Sequence, residues 1–141
     1  SCGCGGFFYT LIDCIKGIFP DLSIVSFVKD HIIGIDLKEY SLERTRILLS
    51  LYSLQNNEIL LESDYNLFCQ NSLANHFAEL PIVVQNGGID VVIGNPPYVS
   101  AAKLSEENKN LASNWEVSKS GKSDLYLPFF QLGFLVSNTF V

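Results

Sequence analysis

Apolar and polar residues alternate along the first half of the chain in a way that predicts helices and strands in turn. Residues 7–19, FFYTLIDCIKGIF, have apolar side chains at helical spacing, and Pro20 marks the end of that predicted helix. The β-branched run HIIGID, residues 31–36, predicts a strand that ends on an acid. Residues 38–54 combine good helix formers with the apolar stripe of an amphipathic helix, which runs through Tyr40, Ile47, Leu48, Leu51 and Leu54.

The middle of the chain continues the alternation with shorter elements. Residues 66–70, NLFCQ, are a short strand candidate, and residues 72–85 predict a short helix or an irregular crossing. The run IDVVIG, residues 89–94, is the clearest strand, and its apolar character is typical of strands that are covered on both faces.

A polar segment and an apolar segment close the chain. Residues 99–123 are polar with a lone Trp115, and we expect a long mobile loop that Trp115 anchors. Residues 123–138, SDLYLPFFQLGFLVSN, predict an amphipathic helix that Ser123 or Asp124 caps. Pro128 then falls in or near its first turn, where proline is tolerated.

The order of these elements predicts an α/β fold. Strands that alternate with helices imply a parallel, doubly wound sheet. Ligands bind such sheets outside the carboxyl ends of the strands. Three features fall at that edge, namely the glycine-rich turn of residues 1–6, Asp36, and the tetrapeptide of residues 95–98. Their coincidence predicts a functional site there.

Composition limits the class of protein. The 141 residues, of which 48% are hydrophobic, fit one globular domain. No apolar run approaches the about 20 residues that cross a bilayer and no leader resembles a signal peptide, so we expect a cytoplasmic protein without membrane contact. The four cysteines and the isolated His31 and His76 lack the spacing of a zinc site, and we expect no metal.

The net charge, the lack of methionine and the first residues of the chain lead to two further expectations. A net charge of −6 argues against a free-standing nucleic-acid binder, because contacts to phosphates need a basic face. The sequence contains no methionine and begins abruptly on SCGCGG, and we therefore expect an excerpt from a longer protein.

The glycine-rich turn and Asp36 together predict a nucleoside-bearing ligand. A glycine turn that enters a helix lets the backbone approach a ligand and offers unpaired N–H groups. Asp36, at the tip of the next strand, can accept both hydroxyls of a ribose, or it can cap the helix of residues 38–54. A dinucleotide and S-adenosyl-L-methionine both fit these two features.

The tetrapeptide Asn95, Pro96, Pro97 and Tyr98 indicates that the reacting group of the substrate is an amino group. Asn95 offers a side-chain carbonyl, and Pro96 offers a backbone carbonyl whose direction the following ring restricts. Two adjacent acceptors suit one NH₂ group, and Tyr98 offers a flat face for a base. Accepting both hydrogens of a conjugated amine favours a pyramidal nitrogen, whose lone pair can attack an electrophilic methyl group. A rigid turn without chemistry is the alternative.

These motifs resemble those of the S-adenosylmethionine-dependent N6-adenine DNA methyltransferases, and most of all the gamma class found in restriction–modification and phage-defence enzymes. SCGCGGFF is similar to their first motif, which implies that Cys2, Gly3, Gly5 and Phe7 bind the cofactor. The leading Asp-Pro of that motif is not part of this chain.

Three further segments resemble the later motifs of the family in order. IIGIDLKEYSLERTR is similar to the second motif, which implies that Asp36 binds the ribose and that Leu37 packs beside the adenine ring of the cofactor. LFCQNSL resembles the third motif and implies that Asn71 and Ser72 meet that adenine. IDVVIGNPPYV resembles the fourth and implies a catalytic Asn-Pro-Pro-Tyr, and KSDLYLPFFQLGF matches the helix that follows.

The resemblance implies a partial doubly wound, Rossmann-like class I methyltransferase fold, with S-adenosyl-L-methionine as cofactor and adenine N6 as acceptor. Residues 1–141 would be part of a catalytic domain that lacks the first strand, the later strands and the target-recognition domain. Double-stranded DNA would be contacted mostly by other parts of the protein, and we expect the isolated chain to be inactive. The alternatives are methylation of a glutamine amide or an RNA base amine, and a non-catalytic cofactor-fold module.

Overall fold

The computed structural model of the chain describes residues 2–74, 80–100, 103–119 and 124–140, with the backbone alone for 138–140. It divides the chain into two compact units, Ser1–Asn71 and Ser72–Val141. The predicted capping residue Ser123 and the isolated His76 lie outside the described residues.

The first unit alternates helices with strands. In chain order it contains α1 (Gly6–Ile18), α2 (Ile24–His31), β1 (Gly34–Asp36), α3 (Glu39–Gln55), a 3-10 turn (Glu62–Asp64) and β2 (Leu67–Cys69). Strands β1 and β2 pair in parallel, with Ile35 opposite Phe68. The helices predicted before Pro20 and after Asp36 are confirmed, as are both strands, which are shorter than their apolar runs.

Helix α2 is the element of this unit that the apolar pattern does not predict. The hydroxyl of Ser23 accepts a hydrogen bond from the backbone N–H of Ser26 and caps the helix. Ile24 and Val28 then lie one turn apart, and both are buried. These signals are present in the sequence, but eight residues are too few for a helical period to stand out.

The core of the first unit joins α1, α2 and α3. Ile12, Ile24, Val28, Leu49, Tyr52 and Leu60 form one buried cluster, and Phe8 packs against it. Strand β1 contributes a close approach at Gly34, where a Cβ atom would lie 2.9 Å from Cε2 of Phe8. A glycine at this position therefore lets the ring of Phe8 reach the strand.

The buried face of α3 differs from the one that its apolar stripe predicts. Ile47, Leu51 and Leu54 are each more than half exposed, and Tyr40 is 51% exposed. The face turned inward carries Ser41, Leu42, Thr45, Leu49, Tyr52 and Ser53. Small hydroxyl side chains on this face allow the helix to approach neighbouring backbone closely, which a row of leucines would prevent. The prediction of the core-facing side was wrong for this reason.

The second unit also pairs its strands in parallel. In chain order its described elements are a 3-10 turn (Ser72–Ala74), α4 (Pro81–Asn86), β3 (Ile89–Val91), α5 (Glu106–Ser113), a 3-10 turn (Glu116–Ser118), α6 (Tyr126–Val136) and β4 (Ser137–Phe140). Strand β3 pairs with β4, with Ile89 opposite Ser137. Of the short helix or irregular crossing expected over residues 72–85, the structure shows the short helix α4, which extends to Asn86.

The strand predicted at IDVVIG is shorter and less covered than its sequence suggests. Strand β3 ends at Val91, which is 55% exposed, and Ile93 beyond it is 46% exposed. Within the described residues β3 has one partner strand. Ile89 and Val92 pack against the buried cluster of Trp115, Leu132 and Val136. The prediction of a strand buried on both faces was therefore wrong.

The segment predicted as a long loop contains helix α5. Ser105 caps this helix, because its hydroxyl accepts from the N–H of Asn108 at 3.3 Å. Trp115 behind it is buried, and its indole N–H donates to the carbonyl of Leu73 at 3.1 Å. The anchoring role of Trp115 is confirmed, whereas the absence of regular structure predicted for this segment was wrong.

The last predicted helix ends earlier than its apolar pattern. Helix α6 stops at Val136, and β4 begins at Ser137 because its backbone pairs with β3. Leu125 occupies the capping position without a side-chain hydrogen bond, so Asp124 does not cap the helix. Pro128 lies in the first turn as expected.

The fold class is α/β, with parallel strand pairs and several helices. The parallel pairing predicted from the alternation of elements is confirmed within each unit. Among the helices that the structure describes, none has both the length and the apolar character needed to cross a bilayer.

Glu58 links the end of α3 to the start of α2. One carboxylate oxygen accepts from the N–H of Ile24 at 2.9 Å, and the other accepts from the hydroxyl of Ser23 and the N–H of Val25. Burial raises the pKa of Glu58, but the hydrogen bonds from Ile24, Ser23 and Val25 outweigh it and the pKa is lowered. The ionised carboxylate of Glu58 therefore stabilises the folded chain. This stabilisation is complete above the ordinary pKa of glutamate and is lost as pH falls through the lower folded-state pKa of Glu58.

We expect Glu58→Gln to lower the free energy of unfolding of the chain at pH 7 by about 1–2 kcal/mol, because an NH₂ group replaces one acceptor oxygen. Urea denaturation at pH 7 and at stepwise lower pH measures this. The wild-type protein should lose stability on acidification more steeply than the variant. Glu43→Gln, on the exposed surface of α3, is the control, and equal acid dependence of wild type and Glu58→Gln would contradict the prediction.

Candidate functional site

The glycine-rich turn before α1 has a backbone that glycine makes possible. Gly3 and Gly5 have φ angles of 60° and 79°, in the left-handed region. The N–H of Cys2 donates to the carbonyl of Ile35 at 2.8 Å, which fastens the turn to β1. Gly5 is the capping residue of α1, so the turn opens directly onto that helix.

Asp36 meets this turn from the end of β1. Its carboxylate is buried, and Oδ2 accepts from the N–H of Gly3 at 3.0 Å. Oδ1 accepts from the N–H of Lys38, also at 3.0 Å. The structure thus brings together two features that lie 33 residues apart in the sequence. Lys38 itself occupies the capping position of α3, so the structure does not bear out the alternative role of Asp36 as the cap of this helix.

The other residues predicted to bind the cofactor have different environments. Phe7 is 44% exposed at the start of α1, and Leu37 is 57% exposed beside Asp36. Asn71 is half-buried and follows β2 at the end of the first unit. Ser72 is buried and belongs to the second unit.

Cys2 is a neutral thiol in this setting. Burial, followed by the nearby carboxylate of Asp36, raises the pKa of the Cys2 thiol above its ordinary value. A nucleophilic or metal-binding cysteine needs the opposite shift. In the part of the chain that the structure describes, no group of three or more His, Cys, Asp or Glu side chains is arranged to hold a metal ion.

The tetrapeptide Asn-Pro-Pro-Tyr follows β3 in the second unit without regular structure. Asn95 is exposed, the two prolines are half-buried, and Tyr98 is 79% exposed. The N–H of Val99 donates to the carbonyl of Pro97 at 3.0 Å. The carbonyl of Val99 in turn accepts from the N–H of Leu125 at 3.1 Å, which ties this segment to the start of α6. Asn95 and Tyr98 are therefore on the surface and not in the core.

A shallow pocket lies beside Tyr98. It has a volume of about 190 Å³ and is lined by Tyr98, Ser100, Asp124 and Tyr126. The rings of Tyr98 and Tyr126 are 6.3 Å apart between centroids and are tilted by 45°. Phe130 also contacts Tyr126 in an edge-on arrangement, with the ring planes at 88°. The sequence patterns indicate only that Tyr126 belongs to a predicted helix, so its position next to Tyr98 comes from the structure.

A comparison of the sequence with protein-family models identifies the family of this chain. The model of the Eco57I restriction-modification methylase family matches residues 30–140, which is most of the chain. The chain belongs to the Eco57I restriction-modification methylase family. The resemblance to restriction–modification methyltransferases inferred from the motifs is confirmed at the level of this family. A search of curated proteins finds no match.

Membership of the Eco57I methylase family makes methyl transfer the general activity of this protein. The matched residues include Asp36, Asn71, Ser72 and the whole of the Asn-Pro-Pro-Tyr tetrapeptide. The glycine-rich turn precedes the matched range, and its link to the site is the hydrogen bond from Gly3 to Asp36.

We expect Asp36→Asn to destabilise the first unit by about 1–3 kcal/mol, because its NH₂ group cannot accept from one of the two backbone N–H groups that the carboxylate now satisfies. Chemical denaturation together with hydrogen exchange at Gly3 and Lys38 measures the loss. Asp21→Asn, an exposed carboxylate between α1 and α2, is the matched control. Unchanged exchange at both amides in Asp36→Asn would refute the role given to the carboxylate.

Proposed function

We propose that this protein transfers a methyl group from S-adenosyl-L-methionine to the N6 amino group of adenine in double-stranded DNA, within a restriction–modification or phage-defence system. The observation that carries the proposal is the Asn-Pro-Pro-Tyr tetrapeptide, which follows β3 with Asn95 and Tyr98 exposed, in a chain of the Eco57I methylase family. In fold, residues 1–141 are then part of a Rossmann-like class I methyltransferase domain.

The catalytic work that we assign to the tetrapeptide is positioning. The side-chain carbonyl of Asn95 and the backbone carbonyl of Pro96 accept the two hydrogens of the target amine, and Pro97 restricts the direction of the second carbonyl. The amine nitrogen becomes pyramidal, so its lone pair is no longer delocalised into the ring and can attack an electrophilic methyl group. Tyr98 stacks on the base, which has left the duplex. The exposure of Asn95 and Tyr98 supports this assignment, because both groups are open to a substrate.

The residues around the glycine-rich turn fit S-adenosyl-L-methionine by their chemistry. Each carboxylate oxygen of Asp36 accepts one backbone N–H and retains a lone pair for a ribose hydroxyl. Open space lies where a Cβ atom of Gly3 would be, so a ligand can approach this backbone. When bound, the cofactor supplies an electrophilic methyl group. We assign supporting contacts to Cys2, Gly5, Phe7, Leu37, Asn71 and Ser72.

The shallow pocket beside Tyr98 supports an aromatic substrate. Two tilted rings and the acidic residue Asp124 line it, which suits a flat ring that carries N–H groups and is unfavourable for a phosphate. A glutamine amide and an RNA base amine share the conjugated NH₂ group of adenine, so they remain the chemical alternatives. A non-catalytic module is the alternative of a different class.

The full-length protein, incubated with methyl-labelled S-adenosyl-L-methionine and unmethylated double-stranded DNA, should label the DNA. Digestion to nucleosides should then yield N6-methyladenine as the labelled product. RNA and a glutamine-containing peptide serve as parallel substrates under the same conditions. Label that appears only in RNA or peptide would replace the proposed substrate, and absence of label from all three would favour the non-catalytic module.

We expect Asn95→Ala to lower methyl transfer by about 10²–10³-fold, by analogy with the loss of one electrostatic contact in other active sites. Cofactor affinity, measured by titration calorimetry, should stay close to that of the wild type. Asn95→Asp, which keeps an acceptor oxygen, should retain more activity than Asn95→Ala. Asp36→Ala is the complementary variant and should weaken cofactor binding first. A large loss of cofactor affinity in Asn95→Ala would contradict the assignment.

A further inference from the structure

Thr45 contacts the glycine-rich turn from the buried face of α3. Its side chain is fully buried, and its hydroxyl lies 3.2 Å from the carbonyl oxygen of Gly3 and 3.0 Å from that of Ser41. The contact with Ser41 is the local one that threonine often makes within a helix. The contact with Gly3 joins residues 42 positions apart and is not required by the helix.

The methyl group of Thr45 packs against the second glycine of the turn. A Cβ atom at Gly5 would lie 2.8 Å from Cγ2 of Thr45, which is closer than two carbon atoms can approach. Gly5 is buried and has a left-handed backbone. Thr45 therefore occupies the space that any larger residue at position 5 would need, and it defines how near the turn lies to α3.

The Gly3 residue is consequently held through both of its polar backbone groups. Its N–H donates to Asp36 at the end of β1, and its carbonyl accepts from Thr45 on α3. These two contacts come from different elements, so together they limit both the position and the rotation of the turn. A turn that is already ordered loses less conformational entropy when a ligand binds it.

We propose that Thr45 is a positioning residue for the cofactor site, and that its hydroxyl orders the glycine-rich turn before the cofactor binds. This inference rests on the proposed function, since it assigns the turn to S-adenosyl-L-methionine. A fully buried side chain does not contact the cofactor, so Thr45 acts through Gly3 and Gly5. The competing explanation is a threonine that only satisfies the carbonyl of Ser41 and fills the core.

The test uses the full-length protein with Thr45→Val, which keeps the shape and removes the hydroxyl, and Thr45→Ser, which keeps the hydroxyl. Thr45→Val should raise the Kd for S-adenosyl-L-methionine about threefold to tenfold, as expected for the loss of one hydrogen bond. Its KM for the cofactor should rise with kcat unchanged, and Thr45→Ser should bind nearly as the wild type does. Ser53→Ala is the matched control, because Ser53 is equally buried on α3 but donates only to Ser50.

Hydrogen exchange at the amides of residues 3–5 in the cofactor-free protein gives a second measurement that does not depend on activity. Exchange should be faster in Thr45→Val than in the wild type, Thr45→Ser and Ser53→Ala. A wild-type Kd and wild-type exchange in Thr45→Val would overturn the inference, as would equal defects in Thr45→Val and Thr45→Ser. If the wild type fails to bind the cofactor, the proposed function fails, and the exchange result still decides whether Thr45 orders the turn.

Discussion

The first unit depends on the way in which the backbone of Gly3 is held. A carboxylate at the end of β1 accepts its N–H, and a hydroxyl on α3 donates to its carbonyl. Both partner side chains are buried, whereas Gly3 itself is exposed. Gly5 of the same turn is the capping residue of α1, and this helix contributes Ile12 to the buried core cluster. Left-handed backbone at Gly3 and Gly5 makes the arrangement sterically possible.

The proposed cofactor-binding residues and the proposed catalytic tetrapeptide differ in burial and in how their backbone is held. Asp36 is buried and hydrogen-bonded in the first unit, so its acceptor oxygens have fixed positions before any ligand arrives. In the tetrapeptide of the second unit Asn95 and Tyr98 are exposed, and proline rings restrict its backbone in place of a hydrogen-bonded strand. A hydrogen bond between Val99 and Leu125 and the contact between the rings of Tyr98 and Tyr126 tie this segment to α6. An ordered binding turn and an open acceptor pair are both compatible with a methylase of the Eco57I family.

The helices with the longest apolar periods were predictable from the sequence, whereas the two eight-residue helices were not. Helices α1 and α3 span 13 and 17 residues, which is long enough for the helical period to be read directly. Helices α2 and α5 have eight residues each, and their clearest signals are the capping serines Ser23 and Ser105. The end of α6 was not predictable from local pattern, because pairing with β3 determines where β4 begins. Of the candidate site, the meeting of the turn with Asp36 was expected and the contact with Thr45 was not.

The sequence by itself determined which chemical groups this protein offers and in which order they follow its strands. Glycines before a helix, an acid after β1 and the Asn-Pro-Pro-Tyr tetrapeptide after β3 are local patterns, and local sterics and donor–acceptor chemistry are enough to interpret them. The tertiary structure alone decided which face of α3 is buried. Apolar count favours the stripe through Ile47 and Leu51, but the close approach of α3 to the glycine-rich turn at Gly5 requires a small side chain at Thr45. Packing distance between elements is a property of the folded chain, and no single segment encodes it.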